Sequence, residues 1–312
     1  MEGIVVRSTG SWFNVRANNG KVYNCRIRGN FRIRGIKTTN PLAVGDIVLF
    51  DLLEDEEVGL IREIKARKNY IIRKSTKLSK ISHIIAANID QAFLVATLAS
   101  PRTSTGFLDR FLVTAEAYHI PAGIIFNKVD IYPEKQQKQL KKLLSVYTNA
   151  GYPCYQVSAV QGKNVEAVKK ALKDKVSLFA GHSGVGKSTL LNSIEPGLDL
   201  KTGEISAMHQ KGKHITTFAE MHELADGGFV VDTPGIKEFG LRDFEKEEVA
   251  ERFPEMRTLM HDCKFHNCTH VHEPGCAVKE AVKEGRISDT RYNNYLAILN
   301  DDYFDKKEWE LR

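Results

Sequence analysis

One segment constrains the fold more than any other. Val176–Ala180 is an apolar run, and Gly181-His182-Ser183-Gly184-Val185-Gly186-Lys187-Ser188 follows it directly, with a helix-favouring stretch to Ile194 beyond. This is G-x-x-x-x-G-K-[ST] between a strand and a helix, the context in which the motif carries meaning. The glycines let backbone N–H groups turn inward around phosphate oxygens, and the helix N-terminus adds positive dipole. Lys187 is placed to reach the outer phosphates, the Ser188 hydroxyl to ligate Mg²⁺, and Gly181 through Thr189 together to bind the nucleotide. A strand, loop and helix of this kind imply an α/β domain.

The surrounding chain agrees. Ala92–Leu98 and Gly123–Phe126 are continuous apolar runs, as strands buried on both faces require. Phe107–Tyr118 reads as a helix. Pro133 opens another, in which Leu140, Leu143, Leu144 and Tyr147 share one face. Tyr155–Ser158, Asn164–Leu172, Val176–Ala180, Gly186–Ile194 and Gly228–Val231 continue the alternation of strand and helix. A mostly parallel sheet between helices is expected.

The first 65 residues differ. Ile4–Val6, Trp12–Val15, Val22–Ile27, Val44–Phe50 and Gly59–Ile64 read as short strands separated by Asn18-Asn19-Gly20 and Asn40-Pro41. They suggest a small closed barrel, of OB-fold or SH3-like type. Residues 1–80 carry 16 Lys/Arg and 8 Asp/Glu, whereas the remaining 232 carry 29 and 31. The chain's formal charge of +6 is therefore concentrated at the N-terminus. A one-signed field suits a polyanion, nucleic acid first, or is simply a solvated basic face. Trp12, Phe13, Tyr23 and Phe31 are either stacking platforms for bases or barrel core.

Two motifs select the base. Asn127-Lys128-Val129-Asp130 follows the strand Gly123–Phe126 and matches the guanine motif N-K-x-D. The Asp130 carboxylate can accept from guanine N1–H and the 2-amino group, and adenine offers neither donor. Hydrogen bonds to a charged group are worth about 1.5–3 kcal/mol each. Ser158-Ala159 resembles the S-A-K loop that meets guanine O6, with Val160 in the third place. Asp232-Thr233-Pro234-Gly235 fits D-x-x-G: Asp232 would hold Mg²⁺ and the Gly235 N–H would sense the γ-phosphate. Thr216 or Thr217, with Thr217 favoured, would close over Mg²⁺ in the triphosphate state. GTPases ordinarily run phosphate loop, threonine, DxxG, NKxD, SAK. Here NKxD and SA come first, and the phosphate loop, threonine and DTPG follow, which is a circular permutation.

Cys263, Cys268, His270 and Cys276 lie within 14 residues. Three thiolates and an imidazole make a closed tetrahedral Zn²⁺ set, one ion per chain and structural in role. His261, His266 and His272 compete for the histidine place. A disulfide or unrelated thiols are the other readings. Cys25 and Cys154 read as core thiols.

Barrel, permuted GTPase domain and Cys₃His spacing together resemble the RsgA (YjeQ/YloQ) family of circularly permuted GTPases over essentially the full length. The resemblance implies an N-terminal OB-fold barrel (1–68), a central P-loop GTPase domain (69–244) and a mainly α zinc-binding domain (245–312). It also implies binding to the immature small ribosomal subunit and its rRNA, with GTP hydrolysis to GDP tied to a late maturation check and release. Catalysis would rest on positioning and charge neutralisation by Lys187 and Mg²⁺. Ile236 stands where a water-orienting Gln often follows DxxG, so His214 becomes the candidate. Gly212–Thr217 matches the family's Gly-x-His-x-Thr-Thr setting, with Ile215 in place of a threonine. Two rivals are an RNA-binding assembly factor with a regulatory nucleotide site and a tRNA-processing GTPase. With no signal peptide, no membrane-length apolar run and five cysteines, a monomer in the reducing cytoplasm is expected.

Overall fold

Strand formation in the N-terminal part follows the alternation of its side chains. β1 (Glu2–Ser8), β2 (Phe13–Ala17), β3 (Val22–Ile27), β4 (Ile47–Leu52) and β5 (Val58–Ile64) turn Val5, Phe13, Val15, Cys25, Val48, Phe50 and Ile61 into one core. The computed structural model describes residues 1–27, 42–53, 58–74, 82–200, 219–232 and 248–300. β1 pairs antiparallel with β2 and β4, β2 with β3, and β4 with β5, while β3 and β5 run parallel. The ring closes as β1-β2-β3-β5-β4-β1, a five-stranded barrel of OB-like type. Phe13 belongs to its core, and Tyr23 packs on Phe50 with ring centroids 5.6 Å apart. Trp12 stays at the surface, capped by the Arg26 guanidinium 3.8 Å from the ring centroid. Phe31 lies outside the described residues.

A hairpin unforeseen in the sequence, β6 (Tyr70–Lys74) and β7 (Ser82–Ala87), leads into the central sheet. Then come β8 (Gln91–Ala96), α1 (Thr105–Ala117), β9 (Ala122–Phe126), α2 (Glu134–Asn149), β10 (Cys154–Gln156), α3 (Val165–Leu172), β11 (Val176–Ala180), α4 (Lys187–Ile194), β12 (Glu220–Glu223) and β13 (Phe229–Asp232). The order is β10-β9-β8-β11-β13-β12, parallel except for β12, which was not read as a strand. The continuous apolar runs are explained by burial on both faces. Ala92, Leu94 and Ala96 face one layer, with Leu108, Phe111 and Leu112 of α1 and Leu140 and Tyr147 of α2. Phe93 and Val95 face the other, with Val165 and Val168 of α3 and Leu190 and Leu191 of α4. Two helices thus cover each face. The barrel joins this sheet edge-on, because β1 pairs antiparallel with β12 at Arg7 and Glu220.

The C-terminal part packs α5 (Pro254–Arg257), α6 (Ala277–Lys283) and α7 (Asp289–Leu299) into a third core with Phe253, Met256, Tyr295 and Ile298. No helix among the described residues is long and apolar enough to cross a membrane.

Candidate nucleotide site and metal centre

The sequence motifs converge at the carboxyl ends of the parallel strands, where open α/β sheets hold ligands. β11 runs into the phosphate loop and α4 leaves it. Gly181 and Gly186 are required here by geometry. A Cβ on Gly181 would lie 2.6 Å from the Val95 carbonyl oxygen, and one on Gly186 (φ +87°) would lie 2.5 Å from Asn127 Nδ2. Val185 is fully buried and anchors the loop, while Ser183 and Gly184 face solvent. Lys187, Ser188 and Thr189 form the first turn of α4 and are half-buried.

Asn127 joins three loops. It is 1% exposed. Its Nδ2 donates to the Val185 carbonyl at 2.9 Å, and its Oδ1 accepts from the Ala159 N–H at 3.1 Å. One buried amide therefore ties the phosphate loop to both base-reading loops. Lys128 does the same at the surface. Its backbone is left-handed (φ +62°), and its Nζ donates to the carbonyls of Gly184 at 2.7 Å and Ser100 at 2.5 Å. Asp130 follows in a short 3₁₀ turn with its carboxylate exposed. Ser158 is buried and its Oγ accepts from the Gln161 N–H at 3.2 Å, which shapes the turn that presents Ala159. Val160, in the third place of that loop, is 82% exposed.

Three supporting residues escaped the sequence reading. Tyr132 donates its hydroxyl to the Asn127 carbonyl at 2.5 Å and accepts from the Leu98 N–H at 3.0 Å. Burial raises its pKa, so the hydroxyl stays a donor. Phe107 of α1 stacks on His182 of the phosphate loop, with centroids 4.0 Å apart and planes at 30°. Ser100 acts through its carbonyl, so no side-chain signature exists to find. Asp232 ends β13 in register with Phe179 of β11, one residue before Ala180. His214, Thr216, Thr217, Gly235 and Ile236 lie outside the described residues.

The metal centre is equally compact. The three Sγ atoms and one ring nitrogen of Cys263, Cys268, His270 and Cys276 all lie within 4.8 Å of one another. Cys263 Sγ is 4.0 Å from Cys276 Sγ, and His270 Nδ1 is 3.4 Å from Cys276 Sγ. A tetrahedron with metal–sulfur bonds near 2.3 Å has edges of about 3.8 Å, so the donors fit a four-coordinate ion. Burial pushes the Cys268 thiol up to about 12 and raises that of Cys276. Thiolates here at neutral pH therefore need a cation between them. Burial lowers the His270 pKa, keeping a neutral ring that can ligate. The ligand loop is held from outside. Tyr292 and Tyr295 donate their hydroxyls to the His270 and Thr269 carbonyls at 2.6 and 2.5 Å. Glu273 accepts from the Thr269 hydroxyl and N–H and from the Val271 and His272 N–H groups. The Thr269 hydroxyl leads in holding its carboxyl down to about 2.

Comparison with known proteins agrees with this arrangement. The model of the RsgA N-terminal domain matches residues 2–61, and that of the RsgA GTPase matches residues 64–242. The small ribosomal subunit biogenesis GTPase RsgA 2 of Bacteroides thetaiotaomicron is 54% identical over 96% of this chain and 97% of its own. The small ribosomal subunit biogenesis GTPase RsgA of Christiangramia forsetii is 56% identical over 96% of each. The crystal structure of YjeQ from Thermotoga maritima superposes with a TM-score of 0.80 at 36% identity, covering 98% of this chain and 99% of that one. YloQ, a circularly permuted GTPase, gives a TM-score of 0.76 at 33% identity over 98% and 96%. With the motifs in permuted order and matches spanning nearly its full length, the chain belongs to the RsgA family of GTPases.

Proposed function

We propose that this GTPase acts on the small ribosomal subunit, binding it in the GTP state and leaving after hydrolysis in a late maturation step. The reading is supported by the nearly full-length match to small ribosomal subunit biogenesis GTPases and, on the nucleotide side, by the Asn127 bridge. The bridge makes base selection and phosphate binding one rigid unit, in a chain whose end of β13 runs on toward the C-terminal domain.

In this reading Asp130 selects guanine, and Ala159 and Lys128 frame the base. Residues Gly181–Thr189 wrap the phosphates, with Lys187 neutralising charge on the outer two. Ser188, Asp232 and Thr217 hold Mg²⁺, which supplies charge neutralisation when bound. The Gly235 N–H senses the γ-phosphate, and His214 orients the attacking water. Cys263, Cys268, His270 and Cys276 hold one structural Zn²⁺. The basic barrel, with Arg26 laid over Trp12 as a surface platform, meets rRNA. The parts divide at about residues 68 and 244, and the protein works as a cytoplasmic monomer.

Co-sedimentation of the full chain with purified ribosomal subunits tests this. Retention on small subunits with a non-hydrolysable GTP analogue, and release with GDP, is expected. Equal retention in both states, or equal binding to large subunits, would refute it.

A further inference from the structure

Among the described residues the barrel meets the GTPase part at two places, the end of the β6–β7 hairpin and the edge of the central sheet, and they differ in kind. At one, the join is buried and stiff. The Ala87 N–H, at the end of β7, donates to the Val44 carbonyl at 2.9 Å and Asn88 Nδ2 donates to the Gly45 carbonyl at 2.9 Å, while inside the barrel Arg67 braces this turn by binding both oxygens of the buried Asp46 at 2.6 and 2.7 Å. At the other, the join is a thin seam between β1 and β12, with one backbone register pair, Arg7 and Glu220.

That seam sits on the strands that carry the nucleotide-sensing segments. In register, Arg7 of β1 faces Glu220, Glu220 faces Asp232, and Asp232 faces Phe179. One row of the sheet thus runs from the barrel, through the residue three places after Thr217, to the first residue of DTPG and the strand that feeds the phosphate loop. At the far end of the same hairpin Glu223 faces Phe229. There Arg16 of β2 crosses the seam. Its guanidinium is 2.5 Å from Glu223 Oε1 and 5.8 Å from the centre of the Phe229 ring. Its guanidinium thus touches both strands of the hairpin, beside the apolar packing of Ile4 and Val6 against the core that holds Met221 and Val231.

We infer that Arg16 is a positioning residue for GTP hydrolysis, acting through Glu223 and Phe229 to pass loading of the barrel to the β12–β13 hairpin. The inference rests on the proposed reading that the small subunit binds the barrel. The pair is partly open to water, with side chains 28% and 45% exposed. Such pairs add little to global stability. A weak contact at a seam is suited to tuning, because a coupling free energy of this size changes rates several-fold without unfolding anything.

The test uses the full chain, GTP and purified small subunits. Glu223→Arg breaks the pair from the GTPase side without removing charge from the barrel. Arg16→Lys keeps the cation, and Arg16→Glu combined with Glu223→Arg swaps the pair. Expected for Glu223→Arg is about a three- to fivefold loss of subunit-stimulated kcat, the upper end of what a surface ion pair supplies. KM for GTP, intrinsic turnover and co-sedimentation should stay within twofold, as about 0.4 kcal/mol allows. Arg16→Lys should keep most of the stimulation, and the swap should restore it. Stimulation kept in full by Glu223→Arg, parallel loss of intrinsic and stimulated turnover, or failure of the swap would each overturn the role of Arg16. Wild-type protein that subunits neither bind nor stimulate would overturn the functional reading along with it.

Discussion

Arg291 of α7 and Asp109 of α1 form an ion pair at 2.7 Å with side chains 1% and 0% exposed, 182 residues apart in the chain. The guanidinium also binds Glu255 at 2.6 and 2.9 Å and lies 4.5 Å from the centre of the Phe253 ring. Asn294 Nδ2 donates to the second oxygen of Asp109 at 2.5 Å. Burial pushes the Asp109 carboxyl up, and the guanidinium opposes that shift. Helix α1 begins at the nucleotide site, where Phe107 stacks on His182. The pair thus fixes the C-terminal helices to the element that lies beside the phosphate loop.

Removing one partner strands the other charge in the core, which typically costs 3–5 kcal/mol. Arg291→Met is therefore expected to destabilise the protein by about 3 kcal/mol or more, read from denaturant midpoints. Asp109→Leu combined with Arg291→Met should recover much of that loss. Equal stability of wild type and Arg291→Met would show that packing alone holds α7.

Little of this pair was legible in the sequence. Asp289-Thr290-Arg291-Tyr292-Asn293-Asn294-Tyr295 has the composition of a solvated helix, and the burial of Arg291 is created by acids brought from α1 and α5. The nucleotide site was legible because backbone chemistry fixes the spacing of its motifs. The parallel strands were legible because burial on both faces leaves an unbroken apolar run. β12 was not, since only Met221 of Glu220-Met221-His222-Glu223 is buried and one of its two partners, β1, lies far away in sequence. The basic barrel looks detachable in the sequence, yet Val44, Ile4 and Val6 pack into the α/β core. Deleting residues 1–65 would open that core, so the role of the barrel is better tested by single charges.

Zinc removal should unfasten the same helices. The four ligands precede or begin α6, and Tyr292 and Tyr295 of α7 hydrogen-bond to the ligand loop. Metal analysis is expected to give one zinc per chain. Cys268→Ser should lose it, with faster amide exchange across residues 277–299, because a closed site contributes directly to folding. Protein purified without chelator and free of zinc would refute the assignment.

Asp130 is proposed to set the base. Its carboxylate is exposed in the short 3₁₀ turn that follows Lys128. Asp130→Asn should weaken GTP and improve XTP, since the new amide can donate to the xanthine 2-oxygen. Titration with both nucleotides checks it, and unchanged GTP affinity removes Asp130 from the site.

Asn127 supports the site without needing to touch the nucleotide. Asn127→Ala leaves the Val185 carbonyl and the Ala159 N–H without their partner. Each unsatisfied buried group costs about 1–3 kcal/mol. GTP affinity should fall by about tenfold or more, the factor set by ~1.4 kcal/mol, and GDP affinity should fall equally, because the bridge fixes loop backbone that both nucleotides would share. A loss confined to GTP would place Asn127 in the triphosphate-sensing machinery instead.

His214 is the last test. Ile236 follows DTPG and offers the attacking water no hydrogen bond. The water needs a partner that arrives with the triphosphate state, and His214 stands two and three residues before Thr216 and Thr217. A neutral imidazole that orients water acts mainly in the transition state, so its loss should lower kcat far more than it alters KM. Positioned groups of this kind contribute about 10²–10⁴-fold. His214→Ala should therefore cut subunit-stimulated kcat by roughly 10²-fold or more, with GTP affinity within a few-fold of wild type. In the proposed reading hydrolysis precedes release, so the variant should also remain longer on the subunit. Stimulated turnover within about twofold of wild type, far below that range, would mean that the ribosome or the loop backbone holds the water.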